Sequence, residues 1–203
     1  MTERAKLLVA TNNAGKLREY VELLDGLPFE LSTLADEGIL DEVEETGLTL
    51  EENAVQKASA YAALSGLITL ADDSGLEVDA LGGEPGPLSR RYAGDDATDR
   101  QRNDFLLSKL KDVPWEKRGA RFRCVIAIAA PGGRLQTCES VCEGVIAFDS
   151  RGQDGFGYDP VFYLPQLNKR VAELTLEEKN TISHRARAAQ KARPLLEALR
   201  HEP

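Results

Sequence analysis

The sequence predicts an α/β fold, a mixed β-sheet with flanking helices. The apolar run Leu7 to Ala10 is typical of a buried strand, and the segment Leu17 to Leu24 after it has the apolar spacing of a helix. From Phe122 to Ile128 the pattern is alternating, the turn Pro131-Gly132-Gly133 follows, and Leu135 to Ile146 is predicted to be the returning strand. A strand–helix unit and an antiparallel hairpin in one chain indicate a mixed sheet.

Length and composition favour one compact domain over residues 1–203, without a Ser/Pro-rich linker. The net charge of −9 argues against a nucleic-acid polymer as partner, because binding to a phosphate backbone relies on clustered Lys and Arg. The longest apolar run, Cys124 to Ala130, is too short to span a membrane, and Met1 to Arg4 leads into a short strand instead of a secretory leader. We therefore expect a soluble, cytoplasmic protein with no membrane partner.

The cysteines and histidines do not predict a disulfide framework or a zinc site. Cys124, Cys138 and Cys142 are an odd number and are expected to be small core residues, whereas His184 and His201 lack zinc-ligand spacing. Charge is also uneven: residues 36–52 hold eight acids and no base, and residues 166–203 hold eight Lys or Arg against five Glu. These segments are either two separately solvated surfaces or the two sides of a site for a metal ion and a triphosphate.

The first strand is followed by the polar segment Thr11-Asn12-Asn13-Ala14-Gly15-Lys16, and Gly26 with Pro28 ends the helix after it. Strand, polar turn and helix make a phosphate-binding arrangement, because amide groups and the positive end of the dipole at a helix start attract anions and Lys16 adds a full charge. The segment is not a Walker A loop, since Leu17 follows the lysine and no earlier glycine precedes it. The alternative interpretation is a polar helix entry without a ligand.

A second helix is predicted to begin at Thr49, which forms a capping box with Glu52, and to end at Gly66. Its buried side is marked by Val55, Ala58 and Ala62. Glu44-Glu45-Thr46-Gly47 comes just before it, where carboxylates either stabilise the helix entry through its dipole or bind a metal ion.

The segment Leu70-Ala71-Asp72-Asp73-Ser74-Gly75 is an apolar run that ends in two carboxylates, a hydroxyl and a glycine. We expect it at the end of a strand. Adjacent ionised carboxylates repel, so a nearby cation is needed to hold both, and oxygen ligands suit magnesium better than zinc or copper. The alternative is an acidic turn that closes the strand.

Two further segments complete the predicted elements before the last helix. The breaker run Gly82 to Gly86 is typical of a long loop, and a third helix is expected from about Thr98. Its apolar side is formed by Leu106, Leu107 and Leu110. The second segment is Gly155-Phe156-Gly157-Tyr158-Asp159-Pro160, whose glycines allow close approach to a flat ligand. Phe156 or Tyr158 could stack on a base, and Asp159 could accept hydrogen bonds from its edge. The alternative is an aromatic turn that caps the core.

The last predicted helix begins after Ser183, which places His184 and Arg185 in its first turn. Cations there oppose the helix dipole, and this conflict with local preference indicates a site for an anionic or carbonyl-bearing ligand. Pro194 is expected to kink or restart this helix.

Together these segments resemble the inosine/xanthosine triphosphate pyrophosphatases, in the order and approximate spacing of that family over nearly the whole chain. The matching segments are Thr11 to Lys16, Glu44 to Gly47, Ala71 to Gly75, Gly155 to Pro160, and Thr181-Ile182-Ser183-His184-Arg185. The resemblance implies an elongated mixed sheet forming two lobes around a central nucleotide-binding cleft, usually in a homodimer. It also implies Mg²⁺-dependent hydrolysis of non-standard purine nucleoside triphosphates (dITP/ITP, XTP/dXTP) to monophosphate and pyrophosphate, which cleanses the nucleotide pool.

The same resemblance implies roles for particular residues. Asp73 would be the catalytic base that activates water, and Glu45 with Asp73 would bind Mg²⁺. The implied substrate-binding residues are Thr11, Asn12, Asn13, Ala14, Gly15, Lys16 and Lys179 for the phosphates, Ser74 for the substrate, Phe156, Gly157, Tyr158 and Asp159 around the base, and His184 and Arg185 at its 6-oxo edge. Donors facing a 6-oxo group would disfavour adenine, because its 6-amino group leaves them unpaired.

The chain departs from the family pattern at Leu50, where phenylalanine is usual, and at Leu88 and Arg90, which replace an aromatic and a small residue. These changes concern the packing of a loop and possible dimer contacts. Two alternative functions remain: a Maf-type nucleotide pyrophosphatase with another base preference, against which Ser183-His184-Arg185 argues, and a nucleotide-binding regulatory module without turnover, which would not require both Glu45 and Asp73. An aspartyl-phosphate phosphatase is disfavoured, because Asp72-Asp73-Ser74 lacks an acid two residues after the nucleophile.

Overall fold

The computed structural model describes residues 4–200, so the expectations for Met1 to Glu3 and for His201 lie outside the described residues. Within that range the chain forms five α-helices: α1 (Ala14–Leu23), α2 (Leu50–Ser65), α3 (Asp99–Lys109), α4 (Leu176–Ile182) and α5 (His184–Arg200). The strands are β1 (Ala5–Val9), β2 (Phe29–Thr33), β3 (Ile68–Val78), β4 (Pro85–Gly86), β5 (Gly119–Ala129), β6 (Leu135–Ile146), β7 (Phe162–Leu164) and β8 (Lys169–Arg170). None of the helices in residues 4–200 is both long enough and apolar enough to span a membrane.

The strands form an eight-stranded sheet in the order β2-β1-β3-β5-β6-β7-β8, with β4 paired to β3 off this path. β1 pairs in parallel with β2 and with β3, with Val9 opposite Thr33 on one side and Leu70 on the other. The pairs β3/β4, β6/β7 and β7/β8 are antiparallel. The sheet is therefore mixed, and the predicted α/β class is confirmed.

The chain divides into two compact units, and the single domain stays a prediction. In the described range, the first unit comprises residues 4–73, 124–140 and 185–200, and the second comprises residues 74–123 and 141–184. The chain crosses from one unit to the other between Asp73 and Ser74 and between His184 and Arg185, which lie inside two of the predicted site segments.

The first unit buries apolar side chains on both faces of its strands. Alternate residues of a strand point to opposite faces, and Leu7 packs with Tyr20 of α1 and Ala188 of α5, whereas Leu8 packs with Ala54 of α2. β5 repeats this division, since Ile126 belongs to the first cluster and its neighbour Ala127 to the second. The alternation predicted for this strand is thus present, but both of its faces are buried here.

The second unit has its own core. It is built from the end of β3, α3, the start of β5, the end of β6 and the segment 158–174. Leu106 of α3 and Leu110, which follows the last residue of α3, are fully buried in it, as the helical spacing predicted. The three cysteines are free thiols. Cys142 lies in the core of the second unit and Cys124 in that of the first, whereas Cys138 is half-buried.

The predicted helix starts are confirmed for α2 and α3. Thr49 and Glu52 form the expected capping box, Thr98 and Gln101 form another, and Gly66 ends α2 in the left-handed conformation (φ +69°). α1 begins earlier than its apolar spacing indicated, at Ala14, because the side chain of Asn13 caps it by accepting from the Lys16 N–H.

Two details of the predicted helices are wrong. Val21 was placed on the apolar face of α1 but is 53% exposed. Of the two outcomes expected at Pro194, the restart is wrong, because α5 continues through it to Arg200, and the kink stays a prediction. A proline inside a helix removes one backbone hydrogen bond, and here the residues around it, Ala192 and Leu196, are fully buried against the first core.

The acidic pair Asp72-Asp73 was expected at the end of a strand, and this is also wrong. β3 continues without interruption through Asp72, Asp73 and Ser74 to Val78. The strand that ends is its neighbour, because the pairing of β1 with β3 stops at Val9 opposite Leu70. Asp has low strand propensity, but tertiary pairing overrides it, since β5 lies beside β3 in the sheet and β4 pairs with β3 from Leu76 onward. The carboxylates therefore lie just past the carboxyl end of β1, where its polar segment begins.

Candidate functional site

The polar segment after β1 forms a capped helix start. Asn13 donates its N–H to Thr11 Oγ1 (3.2 Å) and accepts from the Lys16 N–H through Oδ1 (3.0 Å). Ala14 and Gly15 occupy the first turn of α1, where the helix itself offers no acceptor for backbone N–H groups. The predicted order of strand, polar turn and helix is therefore confirmed, and phosphate binding by this helix start stays a prediction.

Asp72 joins this segment to the start of α5. Its Oδ2 lies 3.0 Å from Lys16 Nζ and 3.5 Å from Arg185 Nε, and Asp72 is 2% exposed. Arg185 also binds Glu19 of α1, with 2.5 Å between Nη1 and Oε2. The negative charges of Glu19 and Asp72 outweigh the effect of burial and hold the pKa of Arg185 well above its ordinary value. Asp72 is thus a buried anchor for two cations.

Asp73 contacts a different cation, Lys57 of α2. Lys57 Nζ lies 3.6 Å from Asp73 Oδ1 and 2.6 Å from Glu45 Oε1, and it donates to the backbone carbonyl of Asp72 (2.8 Å). The two carboxylates predicted to bind a metal ion are therefore brought together on one ammonium group. This neighbour was not predicted from the sequence.

The buried position of Asp73 changes its acidity. Burial raises the pKa of Asp73, the negative charges of Glu45 and Asp72 add to this, and Lys57 and Lys16 oppose it. For Lys57, burial alone would lower the pKa, but the carboxylates of Asp73, Glu45 and Asp72 raise it. Both effects are consistent with a general base in a site that attracts cations.

Asn53 orients Asp73 and the acidic loop at once. Its Nδ2 donates to Asp73 Oδ2 (3.2 Å), and its Oδ1 accepts from the Gly47 N–H (2.8 Å). A side chain at Gly47 would clash, because a Cβ there would lie 2.7 Å from Asn53 Oδ1. The loop that carries Glu45 is therefore tied to α2 next to Asp73.

In the second unit, Asp159 and Lys179 form a buried ion pair. Lys179 Nζ lies 2.6 Å from Asp159 Oδ2, and the same oxygen accepts from the Phe156 N–H (2.9 Å). The ammonium also stands 4.6 Å from the centre of the Phe156 ring. Lys179, predicted as a phosphate ligand, is thus placed beside the residues predicted to flank the base.

The two aromatics of this segment differ in exposure. Tyr158 is 4% exposed in the second core and donates its hydroxyl to the Ser89 carbonyl (2.9 Å), and burial raises its pKa. Phe156 is half-buried. Of the two rings named as stacking candidates, Phe156 is the one with accessible surface.

His184 is buried and stacks on Phe122, with 4.8 Å between ring centres and 19° between planes. Both line a small cavity of about 10 Å³, together with Asp159, Lys179 and Ser183 and a few apolar side chains. Ser74 is half-buried in β3 of the same unit. His184 and Arg185 do occupy the first turn of α5, as predicted.

A model of the Ham1 family matches residues 7–195 of this chain. The chain belongs to the Ham1 family. It is 54% identical over 183 residues to a dITP/XTP pyrophosphatase of Geobacter sulfurreducens, covering 90% of this chain and 92% of that protein. It is 50% identical over 194 residues to a protein of the same name from Desulforamulus reducens, with 96% of each chain covered. The solved structure of a HAM1 protein from Coxiella burnetii superimposes with a TM-score of 0.86 at 41% identity, over 95% of this chain and 98% of that one. The family resemblance predicted from the sequence is confirmed.

Sequence reasoning missed three polar residues of this Ham1 chain: Glu19, Asn53 and Lys57. Glu19 of α1 and Asn53 of α2 are 2% exposed, and the side chain of Lys57 in α2 is 12% exposed. The sequence feature that could have identified them is a charged or amide side chain on a helix face that the apolar spacing predicts to be buried. Such side chains are seldom buried without a partner. The partner itself could not be read from the sequence, because Lys57 and Asp73 are brought together only by the packing of α2 on β3.

The residues that depart from the family pattern take no part in the hydrogen bonds and ion pairs described above. Leu50 is buried in the core on the α2 side of the first unit. Leu88 and Arg90 are exposed, on either side of the buried Ser89. Ser89 Oγ accepts from the Leu76 N–H and donates to the Gly86 carbonyl, so the loop remains anchored at its middle.

Proposed function

We propose that this chain hydrolyses non-standard purine nucleoside triphosphates, dITP/ITP and XTP/dXTP, to monophosphate and pyrophosphate. The observation that carries the proposal is the placement of Asp73, a buried carboxylate with a raised pKa, beside Lys57, Lys16 and Glu45 in one unit. The names of the Geobacter and Desulforamulus relatives support the same activity. Removal of these nucleotides would cleanse the nucleotide pool.

The triphosphate is bound by the start of α1. Lys16 supplies a full positive charge, and the first-turn amides of Ala14 and Gly15 supply donors, while Thr11 and Asn13 hold the turn in shape. Asp72 keeps the Lys16 ammonium in place at 3.0 Å. Electrostatic stabilisation of this kind is the main protein contribution to phosphoryl transfer.

Mg²⁺ is part of the proposal, and Glu45 and Asp73 would hold it. Their carboxylate oxygens are suitable ligands for Mg²⁺, and both side chains already converge on one cation, the Lys57 ammonium group. Within residues 4–200, no three His, Cys, Asp or Glu side chains gather into a metal-binding group, and Mg²⁺ is commonly held by one or two carboxylates together with substrate phosphates and water. When bound there, the ion would neutralise part of the triphosphate charge.

Asp73 acts as the general base. It takes a proton from the attacking water as the new oxygen–phosphorus bond forms and the anhydride between the α- and β-phosphates breaks, and pyrophosphate leaves. The raised pKa of Asp73 makes it a stronger base than an exposed carboxylate. Asn53 fixes the orientation of the carboxylate through Oδ2, which leaves the other oxygen on the Lys57 side.

The base is recognised by Phe156 to Asp159, His184 and Arg185. Phe156 offers the accessible ring for stacking, and Asp159 is held by Lys179. Donors from the first turn of α5 would meet the 6-oxo group of hypoxanthine or xanthine, and adenine would leave them unpaired. A cytoplasmic location follows from the proposed substrates, which belong to the nucleotide pool, and the homodimer that the resemblance implies is also part of the proposal.

The test is release of pyrophosphate and orthophosphate from dITP, XTP, dGTP, dATP and dTTP, with Mg²⁺ and with a chelator. We expect Mg²⁺-dependent pyrophosphate release that is much faster for dITP and XTP than for the other nucleotides. Preference for another base would favour a Maf-type pyrophosphatase, and orthophosphate release would indicate a phosphatase. Tight nucleotide binding with no release at all would support the regulatory module instead.

A further inference from the structure

The backbone of Gly157 is held on both sides by α3. Asp99 Oδ2 accepts from the Gly157 N–H at 2.7 Å, and Asn103 Nδ2 donates to the Gly157 carbonyl at 3.0 Å. Asp99 and Asn103 are four residues apart on α3 and so lie on the same face of the helix. All three residues belong to the second unit. Neither Asp99 nor Asn103 was among the residues predicted to form the site.

These two hydrogen bonds fix the backbone conformation at Gly157, the residue of this segment that both of them hold. Gly157 has φ +63°, a left-handed conformation that glycine adopts freely and leaves freely. The peptide before its Cα is held by Asp99 and the peptide after it by Asn103. With both planes held, Gly157 cannot rotate without breaking a hydrogen bond, and the direction of Phe156 is fixed with it.

Other contacts of this segment do not replace the clamp. Asp159 holds the Phe156 N–H, and Tyr158 is anchored to the Ser89 carbonyl. A turn hydrogen bond from the Asp159 N–H to the Phe156 carbonyl (3.3 Å) also spans Gly157 and limits the rotation there, but none of these contacts holds the Gly157 N–H or its carbonyl. That rotation decides where the half-buried Phe156 ring stands relative to Asp159.

Asn103 carries a cost that a purely structural residue would avoid. It is 3% exposed, and in the described part of the chain its Oδ1 has no hydrogen-bond partner. A buried acceptor without a partner is unfavourable, so removing this side chain loses one hydrogen bond but also removes one unmet acceptor. The stability of the fold should therefore change little, while the hold on Gly157 is lost.

Asp99 is supported in its position by two features of the helix start. Thr98 and Gln101 form the capping box immediately around it, and Arg102 contacts Asp99 Oδ1 while also donating to the Ala97 carbonyl. The other oxygen, Oδ2, is the one that faces Gly157.

We propose that Asp99 and Asn103 are positioning residues, which hold Gly157 so that Phe156 and Asp159 present one fixed surface to the purine base. This inference rests on the proposed function, in which these residues flank the base. It assigns base affinity and selectivity to a pair of residues that do not themselves touch the substrate. Binding of the phosphates, assigned to α1, should not depend on them.

The test compares Asp99→Ala and Asn103→Ala with Asp104→Ala, a matched control next to Asn103 whose side chain is 66% exposed. Binding of dIMP and of pyrophosphate to each protein is measured by calorimetry, and kcat and KM are measured for dITP. We expect the dIMP Kd and the dITP KM to rise about tenfold in both variants, equal to ~1.4 kcal/mol, with kcat within about twofold and pyrophosphate binding unchanged. Asp99→Asn, which keeps an acceptor for the Gly157 N–H, should restore most of the affinity.

Several results would overturn the inference. An unchanged dIMP Kd in both alanine variants would do so, and so would equal loss of dIMP and pyrophosphate binding with a lowered unfolding temperature, because that pattern indicates general damage. If the wild-type protein binds dIMP but releases no pyrophosphate from dITP, the proposed function fails while the dIMP comparison still decides the inference. If it does not bind dIMP at all, the inference fails, and the dITP assay alone decides the proposed function. Hydrogen exchange of the Gly157 amide should be faster in Asp99→Ala than in the control, and equal exchange would contradict the clamp itself.

Discussion

Lys57 Nζ lies 2.6 Å from Glu45 Oε1, and this contact joins the acidic loop to α2. The same ammonium reaches Asp73 Oδ1 at 3.6 Å and the Asp72 carbonyl at 2.8 Å. One cation thus compensates the negative charge of the two carboxylates proposed to bind Mg²⁺. Its removal should have consequences for stability that differ with pH.

We expect Lys57→Met to destabilise the protein by ~2–4 kcal/mol at pH 7.5 in the absence of Mg²⁺, because it leaves the buried Asp73 and the half-buried Glu45 without their shared cation. Since burial and neighbouring carboxylates raise the pKa of Asp73, protonation on acidification removes part of this repulsion. The difference from wild type should therefore shrink as the pH falls from 7 toward 4. Urea unfolding at several pH values measures it, with the exposed Lys111→Met as control, and equal losses in both variants would contradict the expectation.

Asp72 and Asp73 should respond differently to the same change. Asp73→Asn is expected to lower kcat for dITP by about 10²–10⁴, the usual range for a lost general base, while nucleotide binding is retained. Asp72→Asn removes the charge that holds Lys16 and Arg185, so it should weaken pyrophosphate binding and lower the unfolding temperature. Calorimetry and steady-state kinetics on both variants separate the two roles. Identical effects would mean that the pair acts as one unit.

Gly75 is required by the close approach of β4. A Cβ at position 75 would lie 2.3 Å from the Gly86 carbonyl oxygen, a backbone atom that cannot move aside. We expect Gly75→Ala to cost ~1–3 kcal/mol, as overpacking does in a closely packed interior. Gly132→Ala is the control, because nothing lies within 4 Å of a Cβ there. Denaturant midpoints of the two variants give the comparison, and a Gly75→Ala protein as stable as the control would show that the strands can separate.

The thiol of Cys138 should react slowly. Burial raises its pKa to about 11, and the Sγ lies 3.5 Å from the Ala188 carbonyl, which accepts from the protonated thiol. Alkylation of the native protein should therefore rise about tenfold per pH unit between pH 8 and 10, because only the thiolate reacts. As the folded pKa exceeds the unfolded value, the contribution to stability is complete below about pH 9 and is lost as the pH rises through 11. Cys138→Ser should abolish the slow alkylation, and fast labelling at pH 8 would contradict the assignment.

The homodimer is a prediction of its own. Light scattering coupled to size-exclusion chromatography should give a mass near twice that of the 22.2 kDa chain. A mass equal to one chain at micromolar concentration would contradict it.

The elements with strong local signals were predictable from the sequence. The capping boxes of α2 and α3 are each made by side chains three residues apart, and α2 ends because Gly66 adopts a left-handed backbone conformation. Neither feature needs a partner that is distant in the sequence. The hairpin of β5 and β6 was equally local. The Asp72-Asp73 strand end was misjudged for the opposite reason, because β3 is paired with distant segments: β5 lies beside it in the sheet, and β4 pairs with it from Leu76 onward.

By itself, the sequence determined the α/β class, the family and the identity of the candidate catalytic groups, because periodicity, caps and motif order are properties of neighbouring residues. Only the tertiary structure decided which charges meet. Arg185 finds Glu19, a residue 166 positions away, and Lys57 finds Glu45 and Asp73. Buried charges require partners at specific distances, and those distances are set by how helices pack on the sheet, which no local pattern encodes.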